Sequence, residues 1–258
     1  MSSLGIRPMQ LLLMSVSLIF FSLPSHASSG KDVIYRVQGQ AYEGYYHPAI
    51  EYSDNAPLVL IVHDWDGLTS YEKQRAKMLS DKGYNVFAAD LFGKGVRPTE
   101  VKDKQHLTGE LYKDRAKMRT LMESALQAAK HQGADLNNAV AVGYCFGGTA
   151  ILELARSGAD MKGFVSFHGG LKTPEDQDYS KTKGKILVIH GSADRIVPIT
   201  EFAQLTRELE DANIDHEMTT YSGARHAFSV FGSDRYHKTA DKHSWKRFSD
   251  FLTEVSPQ

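Results

Sequence analysis

Gly143-Tyr144-Cys145-Phe146-Gly147-Gly148 is the stretch on which the fold of this chain turns. It follows an apolar run, Ala139–Gly143, with the length and composition of a buried strand, and it precedes small residues with helical periodicity. A strand that turns directly into a helix strains the backbone at the corner, and side chains at Gly143 or Gly147 would strike neighbouring elements. Glycines two residues either side of a cysteine at such a corner form the nucleophile-elbow pattern, with sulfur where serine oxygen is commoner. The corner also sets the thiol at a helix N-terminus, whose dipole favours thiolate over thiol. A cysteine met alone is more often a small buried hydrophobe. Its glycine frame, and the partners found downstream, make Cys145 a candidate nucleophile.

Outward from the elbow the chain alternates. Short β-rich runs at Leu58–His63, Tyr84–Ala89, Ala139–Gly143, Gly163–Phe167 and Ile186–His190 are separated by longer stretches of helical period. That alternation predicts an α/β fold, a mostly parallel sheet with helices on both faces. Asp32–Val37 and Ala41–Tyr46 alternate with period two and predict an N-terminal antiparallel edge hairpin. Thr69-Ser70-Tyr71-Glu72 is a capping box opening a helix that Gly83 closes. A single helix is expected over Leu107 to Lys130, burying Leu111, Met118, Leu121, Met122, Ala125 and Ala129. The mixed-sign clusters Glu72-Lys73-Gln74-Arg75 and Lys113-Asp114-Arg115 are expected on solvated helix faces.

In an open α/β sheet the ligand site lies beyond the carboxyl ends of the strands. Asp194 follows one such end in Gly191-Ser192-Ala193-Asp194, and His226 follows a short strand near Glu217–Tyr221, on a loop before the final helix. Nucleophile, acid and histidine in that chain order match what an elbow of this kind requires. His226 would manage the thiol proton and Asp194 would orient the imidazole.

With these residues the chain resembles the dienelactone hydrolase family, from about Leu58 to the final helix, most specifically at Gly143–Gly148. The resemblance implies an α/β-hydrolase fold and cleavage of a small ester or lactone through Cys145, Asp194 and His226, with no cofactor. The family's acid after the first core strand looks like Asp64 in His63-Asp64-Trp65-Asp66-Gly67, where it would contact the nucleophile and help control its protonation. An oxyanion hole from the backbone N–H groups of Trp65 and Phe146 is also implied, and physics agrees, since both would converge where the tetrahedral oxyanion develops. The member for which the family is named grips its substrate carboxylate with two arginines, and the matching positions here look like Lys94 and Val230. Lysine supplies a point charge without the arginine fork, and valine supplies none. Arg97 and Arg225 lie close enough in sequence to be considered as substitutes, Arg225 being the candidate substrate-binding residue beside Lys94.

Two other function classes are weighed. A metal-dependent hydrolase would use some of the 11 histidines, with His63, His168 and His190 at strand ends, but no compact ligand spacing occurs and His237 with Asp241 is expected to be a surface pair. A catalytically silent binding protein would keep the fold without the chemistry. Alkylation of the thiol across pH separates these, because a paired thiolate reacts below the ordinary thiol range of about 8.5 and a structural cysteine stays inert.

Composition frames the rest. The 258 residues have formal net charge −1, with 30 basic and 31 acidic side chains interspersed, which argues against a nucleic-acid partner. Arg7, the uncharged run Leu11–Leu23 and Ser25-His26-Ala27 read as a signal peptide over residues 1–27, cleaved before a single hydrolase domain at 28–258. An apolar run of that length spans about 20 Å, short of the roughly 30 Å of a bilayer core, so no stable membrane insertion is expected after cleavage. The product would be exported, periplasmic or secreted, a monomer or small homo-oligomer acting on a small molecule. A lone cysteine with no intrachain partner suits an oxidising compartment.

Overall fold

Ala139 and Ala141 of the strand leading into the elbow join one apolar core, and Val140, Val142 and Tyr144 join another. A strand buried on both sides belongs in the middle of a layered sheet. The computed structural model, which describes residues 29–50 and 56–257, places it there. The strands are β1 (Lys31–Val37), β2 (Gln40–His47), β3 (Pro57–Val62), β4 (Asn85–Ala89), β5 (Asp135–Tyr144), β6 (Gly163–Phe167), β7 (Lys185–Gly191) and β8 (His216–Tyr221). Their order is β1-β2-β4-β3-β5-β6-β7-β8, with every pair from β4 to β8 parallel. The predicted hairpin is β1 and β2, which pair antiparallel to each other, and β2 then pairs antiparallel to β4. This is the α/β-hydrolase architecture expected from the sequence. The proposed signal segment lies outside the described residues.

Six helices cover the sheet among the described residues: α1 (Ser70–Ser80), α2 (Val101–Lys113), α3 (Arg115–His131), α4 (Phe146–Arg156), α5 (Ile199–Asp211) and α6 (Lys238–Val255). Tyr71, Ala76 and Leu79 of α1 pack with Phe248, Phe251 and Leu252 of α6 on one face. On the other, Met118, Leu121, Met122 and Ala125 of α3 meet Ala150, Ile151 and Leu154 of α4 and Leu205 and Leu209 of α5. Each fully buried Leu, Ile or Met contributes about 1.5–3 kcal/mol, so the two layers supply the driving force that fixes the strand ends.

Three expectations need correction. The helix expected over Leu107 to Lys130 is two helices, broken at Asp114, whose backbone leaves helical geometry (φ −112°, ψ 76°) and whose carboxylate accepts the Lys117 N–H at 2.9 Å. Leu111 and Met118 stand seven residues apart, so their apolar period continues across the break and hides it. The Glu72–Arg75 cluster is not a solvated face: Glu72 and Arg75 are fully buried, Glu72 because it closes the capping box on Thr69 and Arg75 because Asp241 of α6 receives its guanidinium. Asp241 is therefore buried too, and His237 caps α6 by accepting the Ala240 N–H rather than pairing with Asp241 at the surface.

Candidate active site

Cys145 sits between β5 and α4 with φ 52° and ψ −112°, a left-handed backbone that a residue with a side chain adopts at a cost of about 1–3 kcal/mol. Packing holds it there. A side chain at Gly143 would come within 2.1 Å of the Gly147 carbonyl oxygen, and one at Gly147 within 2.2 Å of the Val62 carbonyl oxygen. The glycines thus let the start of α4 close onto both the end of β5 and the end of β3.

His226 reaches the elbow from the loop after β8. Its Nε2 lies 3.0 Å from Cys145 Sγ, and its Nδ1 lies 2.8 Å from Asp194 Oδ2. Asp194, after β7, is itself fixed, because its Oδ1 accepts the Ile196 and Val197 N–H groups at 2.8 and 2.9 Å. The three predicted residues therefore meet, each from a different strand end. Burial alone would lower the His226 pKa, but hydrogen bonds to Asp194 and to Cys145 and their negative charges outweigh it and raise it to about 10. Burial pushes the Asp194 carboxyl upward, and the hydrogen bonds from His226 and from the Val197 backbone overcome it and hold the carboxyl below its usual range. This arrangement can hold a sulfur nucleophile beside an imidazolium and return the proton to a leaving group.

Phe146 is the first residue of α4, where backbone N–H groups lack intrahelical acceptors, and Trp65 lies on the loop just beyond β3. The approach of Gly147 to Val62 and His63 puts these two segments against each other beside the sulfur. Asp64 is buried, its Oδ1 accepting the Asp66 N–H at 2.8 Å. Burial first, and then the charge of Glu72, push its carboxyl up to about 8. The thiol's partner in this structure is His226, while the hydrogen bond found at Asp64 stays within its own turn.

The candidate cations have other employment. Arg97 Nη1 donates to the Val96 carbonyl at 2.7 Å and its Nε to the Leu68 carbonyl, stitching two loops together. Arg225 is exposed and donates to the Asp234 carbonyl at 2.8 Å, and Lys94 is exposed. Val230 is half-buried against the core shared by α1 and α6. The strand-end histidines also spend ring nitrogens on the protein. His63 Nε2 accepts the Leu91 N–H and its Nδ1 donates to the Asp64 carbonyl, while His190 Nε2 donates to the Val197 carbonyl. Among the described residues no three His, Cys, Asp or Glu side chains are grouped to hold a metal.

One neighbour of Cys145 escaped sequence analysis, and the contact of another did. Tyr112 of α2 packs edge-on against Phe146 at 5.5 Å, its phenol pushed up to about 12 by burial and by the charge of Cys145. Nothing local marks it, since α2 is brought over the elbow by tertiary packing. His168 was visible as a strand-end residue, but its contact with the Cys145 backbone depends on the register of β5 and β6.

The chain is 24% identical over 245 residues to a provisionally named carboxymethylenebutenolidase of Yersinia pestis, covering 90% of this chain and 91% of that protein. Among solved structures, m3DLH superposes with a TM-score of 0.82 at 30% identity, covering 89% of this chain and 99% of its own. The dienelactone hydrolase-like promiscuous phosphotriesterase P91 from metagenomic libraries superposes at 0.81 with 28% identity and the same coverage. The model of the dienelactone hydrolase family matches residues 45–256, and this chain belongs to that family of hydrolases.

Proposed function

We propose that this protein hydrolyses small carboxylic esters or lactones through a Cys145–His226–Asp194 triad and an acyl-thioester intermediate. The observation that carries the reading is the unbroken contact from Sγ to Nε2 at 3.0 Å and from Nδ1 to Oδ2 at 2.8 Å, at the tip of a strained elbow. The sulfur attacks the carbonyl carbon while the carbonyl electron pair moves to oxygen, where the Phe146 and Trp65 N–H groups receive it. Collapse expels the alkoxide, which takes its proton from the His226 imidazolium. The neutral imidazole then draws a proton from water, whose oxygen attacks the thioester. The second collapse releases the carboxylic acid and returns the sulfur to His226. Asp64 is proposed to tune the sulfur's surroundings rather than to take part in these transfers. Export to the periplasm or medium is proposed from the first 27 residues and would place an N-terminus near Ser28 in protein from source cells, read by mass spectrometry.

The test is turnover of p-nitrophenyl acetate and of an enol lactone by the protein and by Cys145→Ala. The variant should lose activity to a residual on the order of 10³–10⁴ over water, while a folded variant with parental turnover would overturn the covalent route. On substrate, Val230 in place of a second arginine and an exposed Lys94 favour neutral or mono-anionic substrates. Val230→Arg should raise kcat/KM for a dicarboxylate-like dienelactone relative to a neutral lactone of equal size. A parent that already prefers the dianion strongly, with no gain in the variant, would show that this position does not set specificity.

A further inference from the structure

Beneath the elbow lies a buried polar chain that the proposed transfers do not use. The Cys145 backbone N–H donates both to the Phe167 carbonyl at 3.0 Å and to His168 Nδ1 at 3.2 Å. His168 follows β6 with φ 41°, so two residues in left-handed backbone face each other across adjacent strand ends. Because Nδ1 accepts, the ring proton sits on Nε2, which lies 2.9 Å from Ser229 Oγ. Ser229 Oγ is 3.0 Å from Tyr71 Oη, which accepts the Arg75 Nε–H at 3.3 Å. Arg75 closes the chain by donating from Nη2 to the Ser229 carbonyl at 2.9 Å and to Asp241. His168, Ser229 and Arg75 are fully buried, and the guanidinium is boxed by the Phe231 and Trp245 rings at 4.2 and 4.7 Å.

We infer that His168 is a positioning residue for the nucleophile: Asp241, Arg75, Tyr71 and Ser229 hold its ring as the Nε2–H tautomer, so that Nδ1 pins the strained Cys145 backbone. The inference rests on the triad reading above for its kinetic consequence. An apolar ring could fill the same space, but it could not accept the N–H, which would then have the Phe167 carbonyl alone and lose the acceptor that ties the Cys145 backbone to the buried polar chain. The same ring meets His226 at 5.5 Å between centroids, so the piece that holds the nucleophile's backbone also bears on its base. Burial, and then the positive charges of His226, His190 and Arg75, hold the imidazole well below its usual range, which keeps the Nδ1 acceptor available at working pH. If this second acceptor is lost, the Cys145 backbone is held by the Phe167 carbonyl and the glycine packing alone, and the 3.0 Å contact of its sulfur with His226 loosens.

Three variants of the full chain test this: His168→Phe, which removes the acceptor; His168→Asn, which restores one at the same reach and suits positive φ; and Ser229→Ala, which frees the tautomer. Read on p-nitrophenyl acetate, His168→Phe should lower kcat by about tenfold with KM changed less than about twofold, and His168→Asn should recover most of it. The second-order rate of Cys145 alkylation by iodoacetamide should fall and recover in parallel. A folded His168→Phe with parental kcat and alkylation rate overturns the inference, as does a His168→Asn no better than Phe. If His168→Phe does not fold, Ser229→Ala decides by the same two rates. Should the parent turn over no ester, the functional reading fails, yet the alkylation rates still decide whether His168 positions the sulfur.

Discussion

His226 links the proposed chemistry of the site to its stability. Its imidazole, raised to about 10 against an ordinary value near 6.5, binds a proton in the folded chain that the unfolded chain releases over that interval. The stabilisation is therefore complete below about 6.5 and fades as pH climbs through about 10. His226→Gln should be less stable than the parent by a few kcal/mol at pH 6, a gap that closes toward pH 10 in urea unfolding. A gap that widened with pH would mean that the imidazole is neutral in the fold. Much of this residue-scale picture was legible in advance, because glycines at an elbow and a fixed order of nucleophile, acid and base leave a mark in one dimension. His168 was legible only as a histidine at a strand end and not by its contact: its partner is the Cys145 backbone, which has no side-chain signature, and what joins them is strand register.

At the scale of elements, β5 and α4 were readable because a strand buried on both faces and a small-residue helix start each have a compositional cause. The joint between α2 and α3 was not, since Asp114 is a capping residue inside an apolar period that runs on through it. What locks α3 to α4 is also invisible to periodicity. Glu153 of α4 is buried and accepts from Arg115 at 3.0 Å, from Arg156 at 3.1 Å, from Arg119, and from Gln177 at 3.1 Å. Burial would raise its carboxyl, but Arg156, with Arg119 and Arg115, holds it below the usual range. The stabilisation is present above the ordinary carboxylate value and is lost as pH falls below it. Glu153→Gln should cost about 2–4 kcal/mol at pH 7, discounted because Arg115 and Arg119 are partly solvated, and the cost should shrink below about pH 4.5. Equal stability of the two proteins at pH 7 would show that the arginines are satisfied by water.

Across the whole molecule, the Arg75–Asp241 pair is the tie between the first helix and the last, 166 residues apart. The sequence displays Arg75 among mixed charges and Asp241 near a helix start, both surface habits, and only the tertiary fold removes them from water. Such a pair adds little net stability over apolar residues of like shape, because desolvation offsets attraction, but removing one partner strands the other. Asp241 also accepts the Tyr236 hydroxyl at 3.0 Å, so an asparagine there, with one oxygen left, strips one of the two donors of its acceptor and leaves the guanidinium without its counter-charge. Asp241→Asn should therefore cost about 3–5 kcal/mol, visible as a lower urea midpoint with the slope unchanged. Arg75→Met together with Asp241→Leu should regain most of that, since Phe231 and Trp245 already offer an apolar box. If the pair served stability alone, the double variant would match the parent in turnover as well. Because Arg75 also anchors Tyr71 and Ser229 beneath His168, it should instead be stable and slow, with kcat reduced and KM held. A double variant both stable and fully active would leave the buried charges no part in holding the nucleophile.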